Sequence, residues 1–143
     1  MTAGAPLQPA AGFVVHLDNS LAAIEDGRLA LLGYLAPFRL DERVINRLEV
    51  VLEELVSNVV RHNATATTLT VEADYRDGTI SLAIEDNGAA FDPFELTTPS
   101  RFTTLEEAKL GGLGVPLVRR LTQSVHYQRT GGCNRVSAVV AAN

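Results

Sequence analysis

Apolar residues recur at helical spacing in some stretches of the chain and alternate with polar ones in others, and the two periods divide it into elements. Phe13-Val14-Val15-His16-Leu17 reads as a short strand. Asp18, Asn19 or Ser20 is placed to cap a helix whose Leu21, Ile24, Leu31, Leu32 and Leu35 share a face. Gly27 and Gly33 weaken that helix and Pro37 stops it. The strongest periodicity runs over residues 41–62, opened by Asp41, where Val44, Leu48, Val51, Leu52, Leu55 and Val59 form one stripe. Residues 67–75 then alternate (Leu69, Val71, Ala73, Tyr75), as do residues 79–86 (Ile80, Leu82, Ile84). The tight turn Arg76-Asp77-Gly78 joins them into a hairpin.

The pattern breaks over residues 87–110, which hold Gly88, Pro93, Pro99 and a threonine-rich patch, with room for one helical turn at Leu105–Lys109. A patternless stretch of this length inside a small domain usually serves function. Gly111-Gly112-Leu113-Gly114 leads into a helix over Val115–Thr122. Two last strands follow, marked by Val125/Tyr127 and by Val136/Ala138/Val140, with a turn at Gly131-Gly132. Residues 1–11, with Pro6, Pro9, Gly4 and four alanines, read as a flexible arm before a domain over 12–143. The order βααββ–loop–αββ predicts an α+β fold: a two-layer α/β sandwich with a mixed, mostly antiparallel sheet and helices on one face.

Composition narrows the function classes. The chain has 143 residues, enough for one domain, and its 46% hydrophobic and 20% charged residues exclude wholesale disorder. A net charge of −5 argues against direct binding of nucleic acid through a basic surface. Cys133 is the single cysteine, so neither an internal disulfide nor a cysteine metal cage can form, and the three scattered histidines argue against zinc. The amino terminus lacks a signal-peptide pattern, and Leu29–Phe38, the most apolar helical stretch, is about half the ~20 residues of a membrane span. The expectation is a cytoplasmic protein without membrane contact.

Three places carry candidate chemistry. On the long helix Glu54, Asn58 and His62 lie one turn apart, at the edge of the apolar stripe; a solvated flank would look the same. Asp86 shares the parity of Ile80, Leu82 and Ile84, so its carboxylate points to the buried side and needs a donor there. Capping its own turn is the structural alternative. The glycines at 111–114 precede a helix, where exposed backbone N–H groups can cradle phosphate; a plain flexible loop is the alternative. They make neither a dinucleotide fingerprint, because the third glycine and the preceding strand are missing, nor a P-loop.

Taken in order, these motifs resemble the ATP-binding (Bergerat-type) fold of the GHKL superfamily, which includes gyrase-type ATPases, histidine kinases and MutL-like proteins. The strings Glu53-Glu54-Leu55-Val56-Ser57-Asn58-Val59-Val60-Arg61-His62, Asp86-Asn87-Gly88-Ala89-Ala90-Phe91-Asp92-Pro93, Gly111-Gly112-Leu113-Gly114 and Gly132-Cys133-Asn134-Arg135 are similar to its anti-sigma factor serine/threonine kinases. The resemblance covers roughly residues 12–141. It implies that Asn58 holds Mg²⁺ through its amide oxygen and that Asp86 accepts from the adenine amino group. Gly88 would let the base pack close, with Ala90 beside it. Gly111, Gly112, Leu113, Gly114 and Val115 would hold the phosphates, helped by Arg101 and Lys109 from a lid over residues 92–110. Glu54 would be the general base, favoured over neighbouring Glu53 by its spacing to Asn58, and His62 would touch phosphate or order the metal shell. The family also implies protein partners, namely a sigma factor and a small anti-sigma-factor antagonist, and a homodimer with residues 19–36 near both surfaces. A non-catalytic ATP-binding partner switch is the alternative. A detached histidine-kinase ATPase domain, which would need a separate histidine substrate, is a third option.

Overall fold

The computed structural model describes residues 12–95 and 114–142. Among the described residues there are five strands and three α-helices: β1 (Phe13–Leu17), α1 (Ala22–Leu35), α2 (Glu42–His62), β2 (Leu69–Arg76), β3 (Thr79–Asp86), α3 (Gly114–Leu121), β4 (Ser124–Thr130) and β5 (Cys133–Ala141). Short 3₁₀ turns occupy Ala36–Phe38 and Pro93–Glu95. The expected helical turn at Leu105–Lys109 lies outside the described residues.

The strands form one sheet in the order β1-β2-β3-β5-β4. Each of its four pairings is antiparallel, so the mixed component expected from the sequence does not occur among the described residues. Tight turns close both hairpins: Asp77 and Gly78 take φ values of 54° and 77°, and Gly131 and Gly132 take 61° and 80°. Such left-handed pairs match the twist of the strands they join. The apolar parity of every strand faces the helices. Leu69 and Val71 of β2, Ile80, Leu82 and Ile84 of β3, and Val140 of β5 are buried there. They pack with Leu31 and Leu35 of α1, Leu48, Val51, Leu52 and Val56 of α2, and Val118 of α3 in one core.

Two local expectations are corrected and a third holds. No side chain caps α1, whose N-cap position is Leu21. Asn19 instead donates its amide to the carbonyls of Asn63 and Ala66, at 3.2 and 2.9 Å, and Leu21 is left 69% exposed. Strand β2 starts at Leu69 rather than 67 because the N–H groups of Thr67 and Thr68 donate to the Asn87 side chain. Helix α2 starts as its cap predicts: Asp41 Oδ1 accepts from the Arg43 N–H at 2.8 Å.

Candidate functional site

The functional candidates of β3 and α2 meet at one end of the core. Asp86 is the last residue of β3 and, as parity requires, lies on the helix side, only 3% exposed. Its Oδ1 accepts three hydrogen bonds: from the Gly88 N–H (2.9 Å), the Asn134 amide (3.0 Å) and the Asn63 amide (3.2 Å). Among the described residues no donor reaches Oδ2. The two asparagines come from different elements. Asn134 faces Asp86 across the β3–β5 pairing, and Asn63 is the C-cap of α2. Each amide also donates to the Ala89 carbonyl, Asn134 at 2.8 Å and Asn63 at 2.9 Å. Thr65 and Tyr127 donate to the two asparagine oxygens, at 2.8 and 2.6 Å, and Arg129 holds the Gly88 carbonyl at 2.7 Å.

Asp86 lines a small cavity with Asn58, Asn134, Phe91, Pro93 and apolar residues of α2, β3 and β5. Its volume is about 10 Å³, room for about one water, so a base-sized ligand needs the lining to open. Asn58 is 5% exposed and its Nδ2 has no partner among the described residues. An orphaned buried amide is costly, and a ligand that completes it recovers that cost. The amide can also offer its oxygen to a hard cation.

Glu54, one turn earlier, is half-buried while Glu53 is exposed. Burial pushes the Glu54 carboxyl up, Glu53 adds to the rise, and Arg61 opposes it. A carboxyl so placed is a better proton acceptor than an exposed one. His62, at the end of the helix, is exposed and stacks on Phe91 with ring centroids 5.9 Å apart. The structure therefore brings Asn58 and Asp86 to one cavity, with His62 against its Phe91 wall and Glu54 one helical turn from Asn58.

Gly88 is buried next to Asp86 but does not line the cavity. A Cβ there would sit 2.7 Å from both polar atoms of the Asn63 amide, so what needs the glycine in this structure is Asn63. Ala90 is exposed in the turn that follows. Gly114 and Val115 open α3. Gly111, Gly112 and Leu113 lie outside the described residues, as do Arg101, Lys109 and most of the expected lid. At the lid's borders, the Arg119 guanidinium lies 4.9 Å from the centre of the Phe94 ring, joining α3 to the turn at Pro93–Glu95.

Asn63, Thr65 and Arg129 have no place in the sequence reading, where Tyr127 marks a strand and Asn134 stands only within the string Gly132-Cys133-Asn134-Arg135. Only Asn134 carried a signal, a polar residue with the parity of Val136, Ala138 and Val140. A larger open hollow of about 450 Å³ lies by β1, β2, β3 and β5 near Gly12 and Arg135. Arg135 there pairs with Glu72 and Glu85, and the chemistry of Asp86 does not reach it because adjacent strand residues face opposite ways.

The family model of the histidine kinase-like ATPase domain matches residues 17–140. The chain belongs to that family. Over 95 residues this ATPase domain is 35% identical to serine/threonine-protein kinase BtrW of Bordetella bronchiseptica, a match that covers 63% of the chain and 66% of that kinase. It is similar in structure to the RsbU and RsbW domains of Rv1364c from Mycobacterium tuberculosis, with a TM-score of 0.64 and 17% identity over 90% of this chain and 32% of that one. A blue-light activated histidine kinase of Erythrobacter litoralis gives a TM-score of 0.51 at 18% identity, over 72% of this chain and 32% of that one. At these identities the two structures show the fold, which is the GHKL fold the motifs resemble. The ATPase domain thus spans just under two thirds of the kinase relative and about a third of each solved chain.

Proposed function

We propose that the chain is an ATP- and Mg²⁺-dependent protein serine/threonine kinase that acts as an anti-sigma factor and phosphorylates a small antagonist protein. The observation that carries this reading is the cavity shared by Asp86 and Asn58. Two buried polar side chains, far apart in sequence, line one space, and the Asn58 Nδ2 has no partner among the described residues. An adenine 6-amino group suits Asp86 Oδ2, and a phosphate-bound Mg²⁺ suits the Asn58 amide oxygen. Mg²⁺, when bound, neutralises charge on the phosphate oxygens. Glu54, one turn from Asn58, takes the proton of the incoming serine or threonine hydroxyl. That oxygen then bonds the γ-phosphorus as its bond to the bridging oxygen breaks and ADP leaves. Gly111, Gly112, Leu113, Gly114 and Val115 supply backbone N–H groups, and Arg101 and Lys109 supply positive charge, to the phosphates. His62, beside Asn58, orders the metal shell. The homodimer and the cytoplasmic setting belong to the same proposal.

The test combines calorimetric titration of ATP, with and without Mg²⁺, with single-turnover phosphorylation of a candidate antagonist protein. Asp86→Ala removes a charged hydrogen bond of about 1.5–3 kcal/mol and weakens ATP at least tenfold. Glu54→Ala keeps Mg-ATP binding and slows transfer by about 10²–10⁴-fold. Label on serine or threonine supports the kinase. Label on histidine indicates a histidine-kinase ATPase domain, and ATP binding without transfer indicates a binding switch.

A further inference from the structure

We propose that Asn63 and Asn134 are positioning residues that set the choice of base, holding Asp86 so that its free oxygen selects a 6-amino purine over a 6-oxo purine. This rests on the nucleotide reading above and extends it to two residues to which that reading gave no role.

An aspartate at a strand end ordinarily caps its own turn with one bond, here from the Gly88 N–H. With that bond alone the carboxylate could swing about its side-chain torsions. Here two amides, from the end of α2 and from β5, add two more donors to the same oxygen. Each Nδ2 has two hydrogens. One goes to Asp86 Oδ1 and the other to the Ala89 carbonyl, so Asp86 and Ala89 are bridged twice. The amides are themselves fixed. Asn63 Oδ1 accepts from Thr65, whose hydroxyl oxygen in turn accepts from the Ala89 N–H. Asn134 Oδ1 accepts from the Tyr127 hydroxyl and from the Phe91 N–H.

The result is a closed network in which both asparagines, at 4% and 2% exposure, have every polar atom used. Such a network has one arrangement and resists others. It ties off Oδ1 and leaves Oδ2 as the carboxylate atom for a ligand in the cavity. Oδ2, held there as an acceptor, meets a donor in adenine and a second acceptor in hypoxanthine. A site built to bond one group discriminates strongly against a ligand that cannot supply it. Released from the asparagines, Asp86 would rotate, and the penalty for a facing carbonyl would fall with the reward for a facing amino group.

The experiment titrates ATP and inosine triphosphate, each with Mg²⁺, into the parent chain and into Asn134→Ala and Asn63→Ala, with circular dichroism and thermal melting as fold controls. The parent is expected to prefer ATP. Each variant is expected to lose at least about tenfold in that preference, mainly through weaker ATP binding. A variant that weakens both nucleotides equally shows a merely structural role and overturns the proposal, as does one that keeps the full preference. Should Asn134→Ala fail to fold, Tyr127→Phe removes only the hydroxyl that fixes Asn134 and must narrow the preference by about threefold; an unchanged ratio overturns the proposal. A parent that binds no ATP, or binds both nucleotides alike, defeats the adenine reading of Asp86 itself.

Discussion

The case of Gly88 shows how one residue's identity depends on a neighbour that the sequence does not advertise. A Cβ at this position would lie 2.7 Å from the Asn63 amide, which is held in place by Thr65, Asp86 and Ala89 and has no room to give. Gly88→Ala is therefore expected to cost about 1–3 kcal/mol, the usual range for overpacking. In an Asn63→Ala background the cost should fall well below that, since the obstructing atoms are gone. Urea unfolding of the four proteins of this cycle measures the coupling, and equal costs in both backgrounds would assign the glycine to some other contact. Asp86 was legible because a strand has period two and its parity was fixed by Ile80, Leu82 and Ile84. Asn134, two residues before Val136, obeys the same rule, although no reading of the sequence singled out its burial. What the sequence did not carry was their meeting, which depends on β5 pairing with β3 in a register that places Asn134 opposite Asp86. Asn63 was less legible still. It lies one residue past a helix, at φ −130° and ψ 69°, where no periodicity reports a side chain's direction.

At the scale of elements, periodicity located the helices and strands because each has one apolar face and one core to bury it in. Caps and starts depended on longer-range partners. Asn19 reads as a helix cap because asparagine favours that position, yet it spans 44 and 47 residues to hold the loop after α2. Asn19→Ala should cost about 1–2 kcal/mol, since the Ala66 carbonyl loses its side-chain donor and the Asn63 carbonyl keeps only the Ala66 N–H, whereas Asp41→Ala should cost about 1 kcal/mol as an ordinary N-cap loss. The two differ in a second readout. Asn19 grips the carbonyl of Asn63 itself, so its loss should speed amide exchange at Asn63 and Ala66, while the loss of Asp41 should raise exchange only in the first turn of α2. Hydrogen exchange resolves the two patterns. The strand order β1-β2-β3-β5-β4 was not written in any local pattern, because β4 reaches the sheet's edge only by leaving a place that β5 then fills.

For the molecule as a whole, two carboxyls shift in opposite directions and make stability depend on pH in opposite ways. The Arg135 hydrogen bond lowers the Glu72 carboxyl, so this pair stabilises the fold above the ordinary carboxylate range and is lost as pH falls through the lowered value. Burial raises the Glu54 carboxyl, with Glu53 adding and Arg61 opposing. The folded chain then holds that proton more tightly than the unfolded chain does. The stability this proton brings is fully present below the ordinary carboxylate value and is lost as pH rises through the raised value, so relative to an uncharged side chain Glu54 is neutral to folding in acid and a penalty at neutral pH. Glu54→Gln removes the charge and keeps the shape, so it should be more stable than the parent at pH 7. The advantage should shrink toward zero as the pH is lowered below the carboxylate range, where the parent's Glu54 is protonated too. Urea unfolding of parent and variant at pH 7 and at pH 4 checks this, and an advantage that is absent at pH 7 or grows on acidification would sink it. The same variant should transfer phosphate about 10²–10⁴-fold more slowly if Glu54 is the base. A gain in stability joined to a loss of transfer is what a residue selected for chemistry predicts, whereas a carboxylate that merely solvates the flank of α2 predicts neither.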